Sequence, residues 1–279
     1  LKGDGEEAMH IAYGSTLSSD HHAARSFDFM LANPPYGKSW KTDAERMASG
    51  KKKEILDPRF NAATADGEPL SMIPRSSDGQ LLFLLNNISK MKQDTPLGSR
   101  IVEVHNGSSL FTGDAGSGES NARRYMIEND LVEAIIALPE KMFYNTGIGT
   151  FIWVLSNRKE ERRKSKIQLI DATAIKTPLR KNMGEKNCEL SPAQRQEIVR
   201  IFMAFEESEV SRIFPNSEFG YWKVSVQQPL LDEQGNPVLD KKGRIQPDKA
   251  KADTEIIPFR YEGGIEAFMD AEVRPYAPG

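Results

Sequence analysis

Apolar positions along this chain fall into a few dense runs separated by long polar stretches, and the runs differ in period. Phe27-Asp28-Phe29-Met30-Leu31-Ala32 shows no clean alternation. It therefore reads as a strand buried on both faces, as in a parallel sheet. The run stops at Asn33-Pro34-Pro35-Tyr36, where two prolines can continue neither a strand ladder nor a helix interior. The turn then lies at the carboxyl edge of the sheet, where open α/β folds bind ligands. Ahead of it, Met9 to Gly14 is a short strand candidate, followed by a polar turn from Ser15 to Asp20. Leu81, Leu82, Leu84, Leu85, Ile88 and Met91 recur at helical spacing, with Asp78 as the expected N-cap. Ser99 to His105 is the next strand. Leu131–Leu138 and Thr150–Leu155 follow as two more, with too few residues between them for a crossover helix, so this pair should be antiparallel.

The polar stretches are less defined. Residues 41–77 read as a long irregular insertion, functional or partly disordered, that carries Lys51-Lys52-Lys53. The glycine-rich run Gly113 to Gly118 lacks the spacing and the position of a phosphate-binding fingerprint, and Ser120-Asn121 behind it should cap a helix. Asn157 to Lys166 is a basic run of mixed sign, expected to be a solvated linker and a domain boundary. The chain thus divides into residues 1–158 and residues 159–279. In the second part, Lys166 to Asp171 is a last short strand. Ser191-Pro192 opens a helix with a buried stripe of Ile198, Val199, Ile201, Phe202 and Phe205. Residues 231–255, rich in Asp, Lys, Gly and Pro, should be mobile. The fold class is α/β, with a mixed, mostly helical C-terminal region.

Composition narrows the function classes. The 279 residues carry a net charge of −3, without the basic excess of a stand-alone DNA binder, so any affinity for nucleic acid is local or supplied by a partner. The single cysteine, Cys188, excludes an internal disulfide and a cysteine-based metal cluster, and His21 and His22 lack ligand spacing. No metal is expected. No apolar stretch approaches the ~18 residues of a membrane span, and a cytoplasmic location is expected.

The Asn33-Pro34-Pro35-Tyr36 turn carries the chemistry. An exocyclic amine on a nucleobase is a poor nucleophile because its lone pair is delocalised into the ring. Two acceptors that grip its N–H bonds localise that pair. Asn33 offers a side-chain carbonyl and Pro34 a backbone carbonyl at fixed φ. Tyr36 offers a face on which a flipped-out base stacks. No acid, metal or covalent nucleophile is needed when the electrophile is an activated sulfonium methyl.

Phe27 to Lys41, with this tetrad at its centre, resembles the modification subunit of type I restriction–modification systems. The resemblance implies a Rossmann-like sheet of the S-adenosylmethionine (SAM)-dependent methyltransferases, ending in an antiparallel strand pair, and methyl transfer from SAM to N6 of adenine in double-stranded DNA. It implies that Asn33 and Pro34 hold the target amine, that Tyr36 stacks on the base, and that Pro35 and Phe143 border it, with Tyr144 as the alternative to Phe143. It places Ser15 and Asn33 against the cofactor, although the family usually has an acidic or amide residue where Ser15 stands. It implies a specificity subunit that reads the DNA sequence, a restriction subunit in the full complex, and no membrane partner. The family's glycine-rich turn and ribose-binding acid are not visible in this sequence, which enters near the family's third strand, so this chain alone is expected to bind SAM poorly. An exposed sheet edge near Met30 and Tyr13 should promote association. Two further readings stand beside this one. One is a SAM-dependent methyltransferase of an RNA base or a protein glutamine. The other is a non-catalytic subunit that only binds a specificity subunit.

Overall fold

The computed structural model of the chain describes residues 10–144 and 146–276. They form two compact units, Leu1–Phe214 and Pro215–Gly279. The first is built on a six-stranded sheet. Its edge strand β1 (Phe29–Ala32) runs parallel to β4 (Arg100–Asn106). Next comes β6 (Thr150–Ser156), antiparallel both to β4 and to β5 (Val132–Ala137). β5 runs parallel to β7 (Lys166–Asp171), and β10 (Ser211–Pro215) closes the row, giving the order β1-β4-β6-β5-β7-β10. The expected antiparallel pair is present as β5 and β6.

The register divides the sheet into two faces. On one, Ile101, Glu103 and His105 are buried. Helix α2 (Gln80–Ile88) covers this side, because Leu81, Leu82, Leu84 and Leu85 form one continuous apolar surface and Asn87 reaches Glu103. On the other, Val154, Ala134, Ile136 and Ile170 pack against Ile198 of α5 (Pro192–Ala204). Helix α5 begins as its sequence dictates. Pro192 takes the first turn, and Ser191 and Gln194 form a reciprocal capping box. Val199, expected in the buried stripe, is 58% exposed.

Several other expectations are corrected. β1 is not buried on both faces: Met30 is covered, but Phe29 and Leu31 are 72% and 80% exposed. Met30 shares the α2 face with Ile101, whereas no described residue covers the opposite face of this edge strand. Residues 10–14 form no strand, and Met9 lies outside the described residues. Ile11 and Tyr13 are exposed, with no ladder partner. Residues 41–77 are not structureless. They hold helix α1 (Lys41–Met47) and a hairpin of β2 (Asn61–Ala63) with β3 (Pro69–Ser71), and they bury Phe60, Leu70 and Met72. Asp66-Gly67, with Gly67 at φ +84°, is the turn that sets this hairpin. Beyond β4, the short helix α3 (Ser108–Phe111) is followed by α4 (Gly118–Glu128). Ser117, rather than Ser120-Asn121, caps α4.

Asn157 to Lys166 is no solvated linker. Arg163 is 2% exposed and the Lys159 side chain is buried against Asp130. Because β7 and β10 continue the same sheet, residues 158 and 159 fall inside the first unit. The residues after 158 are also not mostly helical. Besides β7 and β10 they hold a ribbon of β8 (Thr177–Met183) with β9 (Lys186–Glu189) and a second of β11 (Tyr221–Val226) with β12 (Asp253–Pro258). Against these stand α5 and the short α6 (Gly264–Phe268). Residues 231–255 fold as consecutive tight turns, in which Asp232 accepts the N–H groups of Gln234 and Asn236, and Asp240 those of Lys242 and Arg244.

Candidate target-base site

β1 ends at Ala32, opposite Glu103, while β4 continues to Asn106. The tetrad therefore leaves the sheet at its carboxyl edge, beside the last turn of β4. Within it, Asn33 is exposed, Pro34 buried, Pro35 exposed and Tyr36 half-buried. Burial pushes the Tyr36 phenol above its ordinary pKa, so the ring stays neutral at any physiological pH.

The residues after the tetrad fix it in place. Gly37 adopts φ +65°, open to glycine at little cost, and its N–H donates to Asp78 Oδ1 at 3.3 Å. Three residues on, Trp40 is 5% exposed and anchored twice. Its N–H donates to Ser76 O at 3.0 Å, and its indole Nε1–H to Arg75 O at 2.9 Å. The indole lies so close to Gly79 that a Cβ there would sit 3.0 Å from the ring.

Asp78 was expected as a helix cap. Gly79 takes the N-cap position, while Asp78 one residue earlier accepts the Gln80 N–H on Oδ1 at 3.2 Å and also joins the tetrad turn to the sheet. Its Oδ2 accepts from Gln80 Nε2 at 2.7 Å and from Ser108 Oγ at 2.5 Å. Gln80, 1% exposed, accepts the backbone N–H of Asn106 on its Oε1 at 3.0 Å. The path from Gly37 through Asp78 and Gln80 ends on the last residue of β4. Sequence reasoning missed Trp40 and Gln80. The one signal was a lone tryptophan in a polar stretch.

The second predicted aromatic lies on the β5–β6 loop. Ala137 stands opposite Phe151, and Thr150 opposite Asn106, so this loop emerges at the same carboxyl edge as the tetrad. Phe143 is half-buried and packs against the cluster of Ile136, Leu138 and Val154. Tyr144 is 57% exposed, with the Lys186 ammonium 5.2 Å from its ring centroid. Of the two, Tyr144 presents the freer face.

Ser15 is half-buried and engaged in its own turn. Its hydroxyl accepts the N–H groups of Leu17 and Ser18, and the contacts of its turn run to Asp43 and Arg59. The described residues thus bring Asn33, Pro34, Tyr36 and the β5–β6 loop to one carboxyl edge of the sheet. They do not assemble a donor set that fits SAM, since Ser15 is occupied by its own turn and no glycine-rich turn follows a first sheet strand. His105, read as structural, is 0% exposed, and its Nε2–H donates to Glu103 Oε1 at 2.8 Å. Among the described residues no group of three or more metal-ligating side chains occurs, and no helix is long and apolar enough to cross a membrane.

Comparison with known proteins supplies a family and a fold. A family model described as N-6 DNA Methylase matches residues 1–224. The chain is 28% identical over 271 residues to the type I restriction enzyme MjaIX methylase subunit of Methanocaldococcus jannaschii, covering 94% of this chain and 43% of that protein. It is 30% identical over 173 residues to the MjaVII methylase subunit of the same organism, covering 62% of this chain and 27% of that protein. It therefore spans less than half the length of these relatives. The crystal structure of a type I restriction–modification methyltransferase subunit from Streptococcus thermophilus superposes with a TM-score of 0.55 at 24% identity. That match covers 73% of this chain and 38% of the other, a likeness of fold.

Proposed function

The chain belongs to the N-6 DNA methylase family, and from that premise we propose that it carries the target-base side of a type I modification methyltransferase. The reaction is methyl transfer from SAM to N6 of adenine in double-stranded DNA. The observation that carries this reading is the tetrad itself. Asn33 stands exposed at the carboxyl edge of β1, next to a buried Pro34, in a turn held through Gly37 to Asp78.

In this reading the adenine leaves the duplex and enters the edge beside Tyr36, whose neutral ring stacks on it. The Asn33 side-chain carbonyl and the Pro34 backbone carbonyl accept the two N6–H bonds. The lone pair is drawn out of the ring and directed at the incoming carbon. SAM supplies the methyl group. Pro35 and an aromatic of the β5–β6 loop, Phe143 or Tyr144, border the base. Ser15 and Asn33 would face the cofactor, whose methyl group the reaction consumes. A specificity subunit reads the sequence, a restriction subunit completes the system, and the assembly works in the cytoplasm. The mild acidity of this chain suits that division.

Asn33→Ala in the complete modification enzyme tests the proposal. Counting transferred methyl groups on DNA, RNA and protein substrates should show a loss on DNA of about 10²-fold or more, the scale of removing one preorganised contact to a reacting centre. Retained transfer to DNA, or transfer to RNA or protein in its place, overturns it.

A further inference from the structure

The β8–β9 ribbon has no core of its own. Every β8 residue is exposed except the half-buried Leu179, and an isolated two-stranded ribbon is marginal in water. Its anchors lie on α5, where the Thr177 hydroxyl donates to Gln194 Oε1 at 3.0 Å, and on the β5–β6 loop. The Asn187 N–H donates to Lys141 O at 3.0 Å and the buried Cys188 thiol to Glu140 O at 3.3 Å. At the turn end, Lys186 stands over the Tyr144 ring, and the Tyr144 hydroxyl lies 3.8 Å from Met183 Sδ. Asp171, the last residue of β7, pairs with Ala137, so the chain leaves for β8 at the same sheet edge as the tetrad and that loop.

This ribbon carries exposed cations, as Lys51-Lys52-Lys53 does elsewhere in the chain. From Lys176 to the end of β9 at Glu189 the chain carries Lys176, Arg180, Lys181 and Lys186 against Glu185 and Glu189, a net +2 in a chain of net charge −3. Lys176, Arg180 and Lys181 are exposed and, among the described residues, form no ion pair. At the opposite end of the sheet several cations are paired, although Lys166 is exposed there with no ion pair among the described residues. Lys159 binds Asp130, Lys164 binds Glu161 and Arg59 binds Asp57. Unpaired cations on a projecting ribbon next to a base-binding edge match the spaced charges of a nucleic-acid backbone.

We propose that the β8–β9 ribbon is a phosphate-backbone contact that seats double-stranded DNA beside the target-base site. The inference rests on the function proposed above and adds the surface that binds the duplex. Contacts of this kind position the duplex without reading its sequence, so they hold cognate and unrelated DNA alike.

The test uses the complete modification enzyme with Arg180→Gln and Lys181→Gln together, titrated by fluorescence anisotropy over a salt series with cognate and unrelated duplexes. Loss of two phosphate contacts should make the slope of log K against log salt shallower by about 2, equally for both duplexes. Lys176→Gln, outside the ribbon's strands, should lower it by about 1 without touching the ribbon's pairing. Lys164→Gln with Lys166→Gln removes two charges at the opposite end of the sheet and should leave the slope unchanged. An unchanged slope in the ribbon variants, weakening confined to the cognate duplex, or weakening on duplex RNA and not on DNA overturns the proposal. Binding decides this inference, whereas methyl counting on the unaltered enzyme decides the functional reading, so either fails without the other.

Discussion

Asp78 serves three neighbours with one carboxylate. Oδ1 takes the Gly37 N–H behind the tetrad, while Oδ2 takes Gln80 and Ser108 at the end of the sheet. Asp78→Ala leaves the nearly fully buried Gln80 amide without one acceptor and the tetrad turn without its tie. The unmade hydrogen bonds cost about 1–3 kcal/mol. The turn is the softer element, so that cost appears at Asn33 before it appears in global unfolding. In the complete enzyme, single-turnover methyl transfer should slow about tenfold, equivalent to about 1.4 kcal/mol, with the dissociation constant for DNA unchanged. Asp78→Asn keeps an oxygen for Gly37 and should recover part of the rate. A fall in DNA affinity at constant rate would assign Asp78 to binding instead. At this scale the end of β1 at Asn33-Pro34-Pro35 was legible, because two consecutive prolines stop a strand. The tether was not, since Asp78, Gln80 and Ser108 are ordinary residues whose partners lie 26 to 41 positions away.

The helices and strands are held at their ends by charge. Asp20 sits where the Ser15–Asp20 turn meets the end of α2, with Lys90 Nζ at 2.5 Å from its Oδ2 and Arg59 at 3.7 Å. Burial alone would raise the Asp20 pKa, but the Lys90 hydrogen bond, the His22 N–H and the Lys90 and Arg59 charges together hold it below the ordinary value of 3.8. A carboxylate depressed by folding contributes stability that is present above its unfolded pKa and is lost as the pH falls through its folded pKa. Acid titration of the melting temperature should therefore show a loss that sets in near pH 3.8 and deepens below it. Asp20→Asn should lower stability at neutral pH and flatten that acid limb; an unchanged limb would place the acid sensitivity elsewhere. Legibility at this scale followed local pattern. The α2 stripe, the β5–β6 pair and the Ser191-Pro192 start of α5 were all set by neighbours in sequence. Asn157–Lys166 was misread because its charges are answered from afar. Arg163 lies 4.3 Å from the rings of both Phe202 and Phe205, and Gln168 and Arg162 close the last carbonyls of α5. A run of mixed charge looks solvated until the aromatic rings and carbonyls that receive it are known.

The first unit is finished on one side and open on the other. α2 covers β1 at Met30, but Phe29 and Leu31 project from the same edge strand with no described residue over them. Among the described residues β4 is the one ladder neighbour of β1, whose outer backbone groups no other described strand pairs. An edge that is apolar on its exposed face and free along its backbone is a template for another strand. Covering Phe29 and Leu31 is worth about 1.5–3 kcal/mol for each side chain fully buried, enough to drive association of this chain at micromolar to millimolar concentration. Light scattering behind size exclusion should show the apparent mass rising with loading. Leu31→Lys places a charge on the exposed face without touching Met30 or the β4 register, and should return the chain to a concentration-independent mass. Association that persists in Leu31→Lys would move the contact to the second unit, where Trp222, Ile256 and Phe259 are also about half exposed. The two outcomes separate an edge that needs a cover from a C-terminal surface that needs a partner.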